Sequence, residues 1–152
     1  MVASLPFVLA LALCGVHAPG AWRIEVATHG GFSVRGAGAV KIRSSGDAEI
    51  VTPSGRRCGL KLDGRLLEGI ARAVRSARPK RWHSRYFLPD NPTGCCDQVS
   101  TTLALIRSVG RAETRFVTGW FDESRQLAPR DALAVHDAAM EVALTHEGCR
   151  SD

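Results

Sequence analysis

Apolar and polar residues alternate from Trp22 to Ala27 (WRIEVA), the two-residue period of a strand with one buried face. Thr28-His29-Gly30-Gly31 breaks the alternation. A stretch rich in glycine leads to a second strand at residues 39–43 and a turn at Ser44-Ser45-Gly46-Asp47. A third strand at 48–52 ends on Pro53-Ser54-Gly55, so the three read as a meander. The period then lengthens. Leu66, Leu67, Ile70, Ala73, Val74 and Ala77 recur at helical spacing, with Arg65, Glu68, Arg72 and Arg75 opposite them. This predicts an amphipathic helix over 64–77, capped by Asp63 and stopped by Pro79.

Residues 80–91 keep no sustained period and hold Trp82, Tyr86 and Phe87, which suits a long connection pinned by aromatics. Two strands are expected at 98–108 and 114–121, joined at residues 109–112, with Thr101, Thr102, Thr114 and Thr118 fitted to a pleated surface. The last helix opens with Pro129 at its first position and runs to about Glu147, with Gly148 as its stop. Its inner face is Ala132, Leu133, His136, Ala139, Met140, Ala143 and Leu144. The order β-β-β-α-β-β-α predicts an α+β domain: an antiparallel sheet of about five strands with two helices packed on one face.

The chain has 152 residues, 45% hydrophobic and 23% charged, a globular composition with room for one domain. The apolar run Phe7-Val8-Leu9-Ala10-Leu11-Ala12-Leu13 is too short to span a bilayer and fits the core of a secretory signal. Residues 1–20 are therefore read as a signal peptide and 21–152 as the mature domain, secreted or periplasmic. In Leu11-Ala12-Leu13, ahead of Cys14, a bulky leucine stands where a lipoprotein signal wants a small residue, which favours a soluble mature chain. Cys58, Cys95, Cys96 and Cys149 then remain in an oxidising compartment and imply two disulfides with three conceivable pairings. Neighbouring cysteines rarely bond each other, so Cys95 and Cys96 are expected to join Cys58 and Cys149.

Charge is uneven. Residues 23–85 hold 14 Lys/Arg against 5 Asp/Glu, and residues 86–152 hold 6 against 10. The basic half suits an acidic partner or an anionic surface; nucleic acid fits poorly, because no aromatic stacking pattern accompanies the arginines. Enzymatic chemistry is not expected. The Ser-x-x-Lys, Gly-x-Ser-x-Gly and His-Glu-x-x-His patterns are missing. No Cys-x-x-Cys pair offers metal spacing, and no cofactor motif is read: Gly36-Ala37-Gly38-Ala39-Val40-Lys41 leads into a strand where a phosphate loop needs a helix. His136 falls on the apolar helix face as a packed or rim residue, His83 in a loop, and His146 in a last helical turn. Binding candidates are loops, Gly30-Gly31-Phe32 and the 82–97 connection.

Arg23-Ile24-Glu25-Val26 followed closely by Gly30-Gly31-Phe32, then a strand pair, an amphipathic helix, a loop with Pro-Asp, two strands and a closing helix, resembles the emfourin-like proteins. These are small bacterial inhibitors of thermolysin-type metallopeptidases. The resemblance spans about residues 23–142, and the Gly-Gly-Phe after the first strand is its sharp motif. It implies an inhibitor-like domain that binds a peptidase through Gly30, Gly31 and Phe32, and the leader makes the expected partner a secreted or periplasmic one. The leader and Cys58, Cys95, Cys96 and Cys149 depart from the family pattern. The competing expectation is a cell-envelope domain whose basic face docks on an anionic surface.

Overall fold

The computed structural model describes residues 20–30, 38–92 and 98–149. Six strands, β1 (Ala21–His29), β2 (Gly38–Arg43), β3 (Asp47–Val51), β4 (Arg57–Lys61), β5 (Ser100–Val109) and β6 (Ala112–Phe121), form one antiparallel sheet. Its spatial order is β4-β3-β2-β1-β5-β6. Helices α1 (Gly64–Ser76) and α2 (Arg130–Thr145) pack against each other and cover one face. The α+β class is thus the one that the periodicity predicts.

The sheet has one strand more than expected. β4, Arg57-Cys58-Gly59-Leu60-Lys61, turns only Cys58 and Leu60 toward the helices, between exposed Arg57 and Lys61. Two apolar positions and a central glycine are too weak a signal to stand out in sequence. Gly30 and Gly38 flank the β1–β2 connection, and Ile24 sits opposite Ile42 on one side and Leu105 on the other. That register places Ile24, Val26, Val40, Ile42, Ile50, Leu103 and Leu105 under the helices. They meet Ile70 and Val74 of α1 and Ala132, Val135, Ala139 and Val142 of α2. The alanines of α2 let its backbone come close to the strands.

Local chemistry sets the helix ends. The Asp63 carboxylate accepts the Leu66 N–H at 2.9 Å, as its N-cap reading predicts. At the other end the Arg107 guanidinium, on the covered face of β5, donates to the carbonyls of Val74 (2.7 Å) and Ala77 (3.2 Å), adding to the Ala77 N–H that Val74 already accepts and placing a cation at the helix C-terminus. In α2 the boundaries shift: Pro129 is the N-cap, not the first helical residue, and the helix stops at Thr145 with His146 as C-cap. The His146 ring nitrogen bonds the Val142 carbonyl at 2.8 Å. That contact ends the helix before Gly148, which lies instead in a short 3-10 turn, Glu147–Cys149.

This turn also corrects the expected disulfide pairing. Cys58 is bonded to Cys149, with Cα atoms 5.7 Å apart. The β3–β4 hairpin turns Cys58 to the helix-bearing face, where the C-terminal turn lies. Adjacency of Cys95 and Cys96 favours pairing each with Cys58 or Cys149 only as long as β4, which brings Cys58 to the C-terminal turn, goes unrecognised. Cys95 and Cys96 lie outside the described residues.

Candidate functional site

Strand direction gathers three connections at one end of the sheet. β1, β3 and β6 end there, and β2, β4 and β5 begin there, so Gly30, Gly38, residues 52–56 and residues 98–99 share one rim.

The first connection leaves β1 through Gly30, whose φ is +90°. A Cβ there would stand 2.6 Å from the Gln98 carbonyl oxygen, so both conformation and space demand glycine. Beside it the Ser100 hydroxyl donates to the His29 carbonyl at 3.3 Å. Gly31 and Phe32, the other two expected binding residues, lie outside the described residues.

The second connection is a tight turn. The Thr52 N–H donates to the Arg56 carbonyl (2.9 Å), the Arg56 N–H to the Thr52 hydroxyl (3.1 Å), and that hydroxyl meets the Ser54 hydroxyl at 2.7 Å. The Arg56 guanidinium reaches the Gly148 carbonyl at 3.1 Å, two residues from the Cys58–Cys149 bridge in β4. In sequence Pro53-Ser54-Gly55 reads as the stop of a strand, because β4 carries too few apolar positions to reveal a hairpin.

The third is anchored along the edge of β6. Tyr86 pairs with Trp120 in parallel, its N–H donating to the Gly119 carbonyl at 2.8 Å. The Ser124 hydroxyl reaches the Tyr86 carbonyl at 3.0 Å, and the Asn91 amide donates to Glu123 at 2.8 Å. Arg85 lies over the Phe121 ring, 5.5 Å from its centroid. The 82–92 stretch is thus pinned by its aromatics, and Trp82 is anchored too, through the Asp131 carboxylate.

Away from this rim, His136 packs edge-on against Trp120 (5.3 Å between centroids) and bonds Asp137 at 2.8 Å; Asp137 also accepts from Arg125 at 2.6 Å. Partial burial works against the Asp137 charge, but hydrogen bonds from Arg125 and His136 prevail and hold its pKa below the ordinary value. A groove of about 760 Å³ runs between the start of α1 and the end of α2, lined by Leu66, Ile70 and Ala138 together with Arg65, Arg72 and Glu141. The uncovered sheet face carries a charge ladder: Glu25 meets Arg23 (3.1 Å) and Arg115 (3.0 Å), and Glu49 meets Lys41 (3.5 Å) and Arg57 (3.9 Å).

Among the described residues no helix is long and apolar enough to cross a membrane. The chain matches no protein-family model and no curated protein.

Proposed function

We propose that this chain is an exported protein-binding domain that engages its partner with the loop-bearing end of the sheet, and that the partner is a secreted metallopeptidase which it inhibits. One observation carries the reading: the segment that begins at Gly30 springs from a braced rim. Gly30 closes over the Gln98 carbonyl, the neighbouring 52–56 turn is hydrogen-bonded within itself, and the disulfide from Cys58 to Cys149 lies beside it. A loop held on such a frame loses little conformational entropy on binding, which is what a cleft-plugging inhibitor needs. Docking of a basic face on an anionic surface is the second reading, and on the open sheet face it is weakened because Glu25 and Glu49 offset half the charge of Arg23, Arg115, Lys41 and Arg57.

The test is a titration of a thermolysin-type metallopeptidase with the purified protein, followed by peptide hydrolysis. Inhibition that saturates at a fixed stoichiometry and persists at high salt is the expected result. No inhibition, with salt-sensitive capture on anionic vesicles instead, overturns it in favour of surface docking.

A further inference from the structure

The two edges of the sheet are built differently. β4 exposes Arg57 and Lys61, and self-pairing centred on Gly59 would set these like charges against each other, a usual guard on an edge strand. β6 exposes charges of opposite sign, so one register of self-pairing sets unlike charges against each other. Its residues Ala112, Glu113, Thr114, Arg115 and Val117 are exposed, and Phe116 is half-buried.

The backbone of β6 also presents its free groups in order. The Gly119 carbonyl points away from β5, since it accepts the Tyr86 N–H. Successive residues of a strand direct their N–H and C=O to opposite sides, so Glu113, Arg115 and Val117 direct theirs outward as well. Tyr86 closes the ladder at Gly119, and among the described residues none pairs with the outer side of Glu113–Val117.

We propose that β6 is a self-association edge, which pairs antiparallel with β6 of a second copy of this chain about a two-fold axis at Thr114. In this register Glu113 of each copy stands opposite Arg115 of the other, both with outward backbone groups, so each pair exchanges two main-chain hydrogen bonds and matches opposite charges. Phe116 falls opposite Ala112, and Thr114 opposite itself, on the helix-bearing side. The alternatives are worse. Centring on Arg115 opposes two arginines, and centring on Phe116 brings Glu113 to Gly119, whose carbonyl Tyr86 already holds. The contact is isologous and closes as a dimer, joining two six-stranded sheets into one.

The experiment is sedimentation equilibrium of the full chain across its soluble concentration range, with circular dichroism to verify folding. Wild type is expected to form a dimer. Glu113→Arg and Arg115→Glu each convert both cross-strand pairs to like charges and should weaken dimerisation about tenfold or more. Mixed in equal amounts, the two variants restore opposite-charge pairs and should form a heterodimer. A wild type that stays monomeric at every concentration overturns the proposal, as does a folded single variant that dimerises like wild type, or a mixture of folded variants that stays monomeric. Amide hydrogen exchange of wild type gives a readout independent of any variant. Glu113, Arg115 and Val117 should exchange more slowly as concentration rises, and rates at these three that ignore concentration count equally against the edge.

Discussion

The Asp131 carboxylate, in the first turn of α2, accepts the Trp82 indole N–H at 3.1 Å and the Arg78 backbone N–H at 2.7 Å. One side chain thereby fastens the segment that leaves α1 to the start of α2.

Partial burial opposes the Asp131 charge, yet the hydrogen bonds from Arg78, Trp82 and the α2 backbone hold its pKa below the ordinary value. Asp131→Ala leaves the Trp82 and Arg78 donors unpaired and should cost about 1–3 kcal/mol at neutral pH, read from urea unfolding. The pH dependence has a definite sign. A folded pKa below the unfolded one stabilises the fold at pH above the unfolded value of about 4, and that contribution is lost as pH falls through the folded value. The stability gap between wild type and Asp131→Asn should therefore narrow in acid. A gap that stays constant as pH falls would show that the charge on Asp131 contributes nothing.

Gly30 and Gly55 make a matched pair, because both have positive φ, +90° and +88°. A Cβ at Gly55 meets nothing within 4 Å, while one at Gly30 meets the Gln98 carbonyl oxygen at 2.6 Å. Gly55→Ala should cost about 1–2 kcal/mol from conformation alone. Gly30→Ala adds a backbone clash and should cost visibly more. Equal melting temperatures for the two variants would mean that the contact with Gln98 does not constrain the rim.

What sequence reveals here follows from which signals are local. β1, α1 and α2 are legible because each repeats its apolar period over several turns or pleats, and Asp63 caps α1 through a contact three residues away. β4 is illegible although its hairpin with β3 is local, because only Cys58 and Leu60 are apolar and Gly59 stands between them. The Cys58–Cys149 pairing is illegible because its partners lie 91 residues apart in sequence. At the site, Gly30 stands out as one of two adjacent glycines, but nothing in sequence says that Gln98 is the neighbour which requires it.

The Cys58–Cys149 bridge closes a long loop and ties an edge strand to the C-terminal turn. Proteolytic mapping without reductant should recover these two cysteines in one linked fragment. Replacing both by serine should lower stability by roughly 2–5 kcal/mol. A fragment that links Cys58 to Cys95 or Cys96 would refute the assignment.

Thr118 is fully buried opposite Leu103, and its hydroxyl has no hydrogen-bond partner among the described residues. A hydroxyl taken out of water without a partner costs free energy. Thr118→Val keeps the branched shape and removes that cost, so the variant should be as stable as wild type or up to about 1 kcal/mol more stable. Thermal unfolding decides it, and a marked loss would mean that the hydroxyl is hydrogen-bonded in solution.

Phe32 separates a recognition loop from a structural one. It lies outside the described residues, two positions beyond Gly30 in sequence. If that loop plugs a peptidase cleft, Phe32 supplies contact area to the partner. Phe32→Ala should then melt like wild type while losing about 2 kcal/mol or more of binding, roughly a thirtyfold weaker inhibition constant. If the ring folds back into the core, the same change opens a cavity and should cost about 3–5 kcal/mol of stability. The two costs fall on different measurements, so one melting curve and one inhibition titration on the same variant distinguish them. A large drop in melting temperature removes Gly30-Gly31-Phe32 from the contact surface, and the search for that surface then passes to the other two connections of the same rim.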